Sequence, residues 1–163
     1  MSRLAWTFDR IDGVTARDVF DFLKLRAEVF CVEQNCVFLD PDDADLVSWH
    51  LLGRDSGGAL LGYLRIVDAG IKYPEPSIGR VVTASAARGQ NLGREVMAEG
   101  LQRCSALWPE LGIVINAQHR LERFYREFGF ESVGAPYIED GIAHIEMKRQ
   151  WRALQNTQTR SGT

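Results

Sequence analysis

The chain has 163 residues, of which 45% are apolar and 25% charged, with a formal net charge of −3. That balance describes one globular domain with a proper core, and its scattered basic residues exclude the continuous cationic footprint of a duplex-binding protein, so nucleic acid is not an expected partner. The start "MSRLAWTFDR" lacks a signal-type apolar core and no run of apolar residues is long enough to span a bilayer, so no membrane association and a cytoplasmic location are expected.

Thr15 followed by Asp18 reads as a capping box that opens the helix "TARDVFDFLKLRAEVF", with Val19, Phe22, Leu23 and Phe30 on one side. Arg26 falls on the same stripe, where an arginine must reach water or find a carboxylate. Glu33, Asp40, Asp42, Asp43 and Asp45 follow, so a structural ion pair and a contact to substrate both stay open for Arg26. The stretch "DPDDAD" fails as a calcium loop, because the sixth position from Asp40 is Asp45 rather than glycine and the twelfth is Leu51 rather than glutamate. As an acidic turn it is either solvated surface or an attractor for a cationic amine.

"SWHLLGR", the turn "DSGG" and "ALLGYLRIVD" read as two hairpin strands, and "YPEPS" interrupts them. "IGRVVT" is a β-branched strand. "NLGREVMAEGLQRCSALW" is a helix with Leu92, Val96, Met97, Leu101 and Cys104 on its apolar side, ended by Pro109. Then come the strand "GIVINAQ", the helix "HRLERFYREFGF" stopping at Gly129, and the pair "ESVGAPYI" and "IAHIEMKRQW" around an "EDG" turn. The expected class is α/β (α+β), a single domain over residues 1–151 with one mixed sheet and helices on its faces, followed by a polar, disordered tail over 152–163. Cys31, Cys36 and Cys104 read as reduced thiols, and His50, His119 and His144 are too scattered to suggest a metal site.

A strand ending at Val82, the small-residue turn "TASAARGQ" and a helix opening near Leu92 direct helical N–H groups, and the positive end of the dipole, into the turn. Gly89 and Gly93 clear side chains where an anion would approach backbone, and Arg88 and Arg94 supply charge. A plain glycine turn leaves the same signature. Neither GxxxxGK[ST] nor GxGxxG is present, which disfavours ATP and dinucleotides.

Arg88, Gly89, Gln90, Asn91, Leu92 and Gly93 together resemble the pyrophosphate loop [RQ]xxGx[GA] of the GNAT superfamily of N-acetyltransferases. The match departs at Asn91, which replaces a glycine but belongs to the few residue types that tolerate positive φ. "AQHRLERFYREFGF" is similar to that superfamily's following strand and helix, and "LRAEVFCVEQNCVFLDPDDADL" and "YIEDGIAHIEMKR" resemble its ElaA branch. The resemblance implies a mostly antiparallel sheet whose central parallel strands splay apart, with Val81, Val82 and Thr83 free to bond the pantetheine arm of acetyl-CoA and Gln118 and Arg94 near the cofactor. It implies that Tyr125 protonates the leaving thiolate and that the N–H of Val82, or of a neighbour, meets the carbonyl oxygen as it becomes an oxyanion.

The expected function is therefore transfer of acetyl from acetyl-CoA to a primary amine by direct attack in a ternary complex, without a metal. The acceptor can be a small molecule or a protein amine, and a homodimer is left open. Glu33, Gln34, Arg26 and His144 are the substrate-contact candidates, while Glu33, His119, Glu139 and His144 compete as the base. Two other readings are an acyl-homoserine-lactone synthase, signalled by "LRAEVFCVEQ", and a non-catalytic acyl-CoA sensor.

Overall fold

A computed structural model of the chain describes residues 3–152. Its strands β1 (Ala5–Arg10), β2 (Ser48–Arg54), β3 (Leu60–Val67), β4 (Ser77–Thr83), β5 (Ile113–Gln118), β6 (Glu131–Glu139) and β7 (Ile142–Arg149) form one sheet in the order β1-β2-β3-β4-β5-β7-β6. Every neighbouring pair is antiparallel except β4 and β5, which run parallel.

The fold differs from the sequence expectation in its first strand. "AWTFDR" pairs along its whole length with β2, from Ala5↔Arg54 to Arg10↔Trp49, and forms an edge whose residues alternate between exposed and half-buried. Its apolar signal is only Trp6 and Phe8, too short a period to stand out before the partner is known. The expected tail lies almost wholly outside the described residues.

Helices cover both faces. Helix α1 (Ala16–Arg26) begins with the anticipated capping box, Thr15 and Asp18 each bonding the other's backbone. Phe22, Leu25 and Val29 pack on Leu52, Tyr63 and Val82. Helix α2 (Leu92–Leu107) lies on the opposite face, with Val96 and Met97 against Leu51, Leu64 and Ile66. Consecutive residues such as Leu51 and Leu52 serve opposite cores, which is why these strands read as unbroken apolar runs. Each fully buried aliphatic contributes roughly 1.5–3 kcal/mol. Gly100 lets α2 settle onto β3, since a Cβ there would lie 2.5 Å from Leu64. Helix α3 is only Glu122–Arg126, entered through a 3₁₀ turn at His119–Leu121 and left through turns that reach Gly129 at φ +85. No helix among the described residues is long and apolar enough to cross a membrane.

Candidate active site

The parallel pair scarcely pairs. Ser77↔Val114 is the single register match between β4 and β5, supported by the Val114 N–H donating to the Pro76 carbonyl at 3.1 Å. Beyond it β5 stays with β7, as far as Gln118↔His144, while β4 stays with β3. A cleft of about 550 Å³ opens between them, lined by Val81, Val82 and Thr83 on one side, Ile115 and Gln118 on the other, and Tyr125 of α3.

β4 carries a bulge at the centre of this cleft. Gly79 pairs with Arg65 and Val82 with Tyr63, so Arg80 and Val81 together oppose Leu64, and Arg80 adopts φ +52. Past the bulge the Ala84 N–H donates to the Leu61 carbonyl of β3 at 2.9 Å. Alternation along a strand then turns the Val82 N–H toward β3 as well, and leaves the N–H groups of Val81 and Thr83 facing the cleft. The expectation for Val82 is corrected accordingly: its backbone is spent on the sheet, and the free donors are its neighbours'.

The glycine-rich loop lies at the open end. Gly89 has φ +77 and Asn91, the residue preceding α2, has φ +67, so asparagine occupies the left-handed position that the loop pattern gives to glycine. Its Oδ1 accepts from Arg94 at 3.1 Å, and Arg94 makes a two-pronged pair with Glu127 at 2.9 Å, which commits it to fastening α2 to α3. Gln90 is held by Arg3, which reaches its side chain at 3.1 Å and its carbonyl at 2.5 Å. The Leu92 side chain is buried beside Leu4 and Ala87, so only its backbone can serve a ligand. Gly93 lies against Phe124. Arg88 is the loop cation that lines the cleft.

Arg88 is paired across the mouth. After Arg26 the first helix widens into a π-helix, Ala27–Glu33, in which bonds such as Gln34 N–H to Val29 O span five residues. This carries Glu33 to Arg88, which grips both carboxylate oxygens, the second at 2.8 Å. Gln34 accepts from Gln118 Nε2 at 3.0 Å, and Gln118 Oε1 accepts from Arg120 at 3.1 Å. The segment therefore bridges from the loop after β4 to the end of β5. Arg88 holds the Glu33 carboxyl below its ordinary range.

Tyr125 is 7% exposed, lines the cleft, and its hydroxyl has no hydrogen-bond partner among the described residues. The ring is buried while the hydroxyl is open to the cleft and free of protein partners, an arrangement that suits a group presented to a ligand. Burial, opposed by Arg120, pushes its pKa up to about 12, so it is fully protonated near neutrality.

Of the candidate bases, His119 pairs with Glu122 at 3.2 Å and does not line the cleft, and Glu33 is engaged by Arg88. Glu139 and His144 do line it. His144 Nδ1 lies 2.8 Å from the Ile142 carbonyl, which can only accept, so this contact favours the neutral tautomer with its proton on Nδ1 and its lone pair on Nε2.

Arg26 is corrected from substrate contact to structural ion. It is 0% exposed, does not line the cleft, and bonds Asp40 at 2.7 Å and Asp45 at 2.8 and 3.0 Å. The acidic turn is likewise consumed from within. Arg65 binds Asp42 at 2.5 and 2.9 Å and Asp45 at 2.7 Å, and Arg80 lies 2.8 Å from Asp40. Burial alone would raise the Asp45 carboxyl, but the hydrogen bonds and charge of Arg26, helped by Arg65, bring it down to about 2. His50, whose Nε2–H donates to the Asp45 carbonyl at 2.9 Å, and Tyr63, bonded to its Nδ1 at 2.8 Å, close the cluster beneath β4.

Sequence reasoning had no role for Arg65, Arg80, Asn116 or Lys72, all of which line the cleft. The signal was present for the first two, each a lone arginine inside an apolar strand, "YLRIV" and "IGRVV".

The acetyltransferase (GNAT) domain family matches residues 47–151. A UPF0039 protein of Synechocystis is 44% identical over 87% of this chain and 92% of its own length, and Protein ElaA of Escherichia coli is 37% identical over 84% and 90%. Among solved structures, an acyl-CoA N-acyltransferase from Pseudomonas aeruginosa superposes with a TM-score of 0.85 at 40% identity, covering 90% of this chain and 99% of that one. Escherichia coli ElaA gives 0.84 at 35% identity with the same coverage. The acyl-homoserine-lactone synthase LasI, at 0.72 and 17% identity over 94% and 92% of the two chains, shares the fold alone. Acyl transfer from acyl-CoA is the chemistry of the matched family, and the chain belongs to the GNAT acetyltransferases, with ElaA among its relatives.

Proposed function

We propose that the protein is an acetyl-CoA-dependent N-acetyltransferase in which a primary amine attacks the thioester directly within a ternary complex. The observation that carries this reading is the splay: a sheet opened after one register pair, with an unbonded phenol inside and a glycine-rich helix entrance at its mouth. The cleft-facing groups of Val81 and Thr83 would hold the pantetheine amides as an added strand does. The pyrophosphate would meet the first N–H groups of α2 and Arg88, with Gly89, Asn91 and Gly93 keeping the approach clear.

The Val81 N–H would stabilise the oxyanion as the carbonyl carbon becomes tetrahedral. As the new C–N bond forms the C–S bond breaks, and Tyr125 gives its proton to the departing thiolate. The attacking amine must be neutral, and the free lone pair of His144 Nε2 takes its proton. No separate acyl-enzyme is needed.

Coenzyme A and acetyl-CoA should each stabilise the protein by about 2.7 kcal/mol at a hundredfold excess over the dissociation constant. Absence of any thermal shift well above micromolar concentration overturns the reading. Tyr125→Phe should retain coenzyme A binding while lowering kcat by about 10²–10⁴. An unchanged kcat removes Tyr125 from the mechanism, and thiol release that strictly requires S-adenosylmethionine would favour the lactone-synthase alternative.

A further inference from the structure

The charge cluster beneath β4 balances internally, Arg26, Arg65 and Arg80 against Asp40, Asp42 and Asp45. Lys72 stands outside that balance. It lies on the β3–β4 connection, which leads directly into Ser77, where the cleft is closed by Val114, and both Lys72 and Ser77 line the cleft.

The connection is fastened along its length. Asp68 accepts from Arg10 at 2.6 Å, the Gly70 N–H donates to the Tyr73 carbonyl at 2.7 Å, and Glu75 pairs with Lys148. Asn116 Nδ2 of β5 donates to the Tyr73 hydroxyl at 2.8 Å, tying the residue after Lys72 to the opposite wall. Lys72 is thus carried on a braced loop, yet among the described residues its ammonium has neither a hydrogen bond nor a carboxylate within ion-pair distance. Partial loss of water, together with the charges of Arg65 and Arg80, outweighs Asp42 and Glu139 and lowers its pKa. Lys72 is itself exposed, so its ammonium, without a protein partner, is open to whatever enters this end of the cleft.

We propose that the acceptor amine carries an anionic group, in its simplest form a carboxylate, and that the Lys72 ammonium holds this group at the closed end of the cleft. The proposal rests on the N-acetyltransferase reading. A carboxylate there would complete the pairing that Lys72 lacks and relieve its repulsion with Arg65 and Arg80. Held from that end, the acceptor would extend its amine toward the bulge of β4.

The test uses the full chain saturated with coenzyme A and two product-like probes, N-acetylglycine and its uncharged carboxamide, titrated by calorimetry. N-acetylglycine should bind about tenfold or more tightly than the carboxamide. Lys72→Met should abolish that difference, Lys72→Arg should keep most of it, and coenzyme A affinity should be the same in all three proteins. Equal binding of the two probes, binding of neither, or a preference that survives Lys72→Met overturns the proposal. So does finding Lys72 itself acetylated by acetyl-CoA in the intact protein, since it would then be an acceptor rather than an anchor. Coenzyme A binding is read in the same experiment, so failure of the transferase reading, in which coenzyme A does not bind, is distinguished from failure of the anion site alone.

Discussion

The charge cluster beneath β4 and the ion pair across the mouth of the cleft both join an arginine to carboxylates from the segment after α1, yet they differ in access to water. Arg26 is 0% exposed and its partners nearly so, whereas Arg88 and Glu33 have 42% and 43% of their side chains exposed. In the first set Arg26, Asp40 and Asp45 have been stripped of water and are joined by direct hydrogen bonds, so none of the three can leave without stranding another. In the second, water and salt compete with the pair, so either partner can be exchanged for a ligand at small cost. One protein thus uses the same chemistry twice, once to fix the wall of the site and once to leave its entrance exchangeable.

The sharpest way to break the contrast is to remove a buried member. Arg26→Met should destabilise the fold by about 3–5 kcal/mol in urea denaturation, the range for stranding a buried partner charge. Acid should expose the same dependence. The folded pKa of Asp45 is about 2 against an ordinary 3.8, so the stability it contributes is complete above the unfolded value and is lost as pH falls through the folded one, from about 4 down to about 2. A stability curve flat across that window would show that the network contributes nothing through Asp45.

Arg80 tests whether the buried set also serves the chemistry. Its left-handed backbone makes the bulge that frees the Val81 N–H, and its guanidinium reaches Asp40 at 2.8 Å and the Asp40 carbonyl at 3.1 Å. Strain of this kind costs about 1–3 kcal/mol and persists only where the surroundings enforce it. Arg80→Met should lower kcat by about 10²-fold, the modest end for one lost oxyanion hydrogen bond, with the KM for acetyl-CoA little changed. Restoration by Arg80→Lys would mark the charge as the anchor. A fall in stability with kcat intact would confine Arg80 to the fold.

The mouth pair should respond in the opposite manner. Glu33→Gln and Arg88→Gln should both leave the urea midpoint nearly unchanged, but coenzyme A affinity should separate them. Arg88→Gln removes a phosphate contact and weakens binding, while Glu33→Gln releases Arg88 from its carboxylate and strengthens it severalfold. The separation should shrink as salt is raised. Equal affinities in the two variants would mean that Arg88 does not meet the pyrophosphate.

The sequence was informative where local periodicity or a loop pattern had a fixed physical cause. The capping box at Thr15, the strand-turn-helix around Gly89 and the place of Tyr125 on the buried stripe of its helix could all be read before the fold was known, because each depends on neighbours in the chain or on a pattern spanning a few residues. The mixed sheet, its splayed parallel pair and the single-domain α/β class followed from the same patterns and from the family resemblance. What stayed hidden depends on distance in sequence. Arg26 meets Asp45 across 19 residues and Arg65 meets Asp42 across 23, so an acidic turn that looked like surface sends Asp40 and Asp45 into the core while Asp42 and Asp43 stay exposed. The bulge that reverses the roles of Val81 and Val82 exists only in the register of β4 on β3. Lys72 has no pattern of its own and acquires meaning from what surrounds it.

The smallest expected effect lies at Asn91, where the loop departs from the pattern that named it. Its φ of +67 is a conformation that costs most side chains about 1–2 kcal/mol and glycine nothing, so Asn91→Gly should keep the entrance of α2 intact. The one contact it forfeits is the acceptance from Arg94 at 3.1 Å, and Arg94 retains both bonds to Glu127. Coenzyme A affinity should therefore be equal or slightly improved in Asn91→Gly and reduced in Asn91→Val, whose branched side chain cannot hold positive φ. A large loss in the glycine variant would show that the Asn91 carboxamide itself meets the ligand, and the entrance would then depend on a side chain as firmly as the wall beneath β4 does.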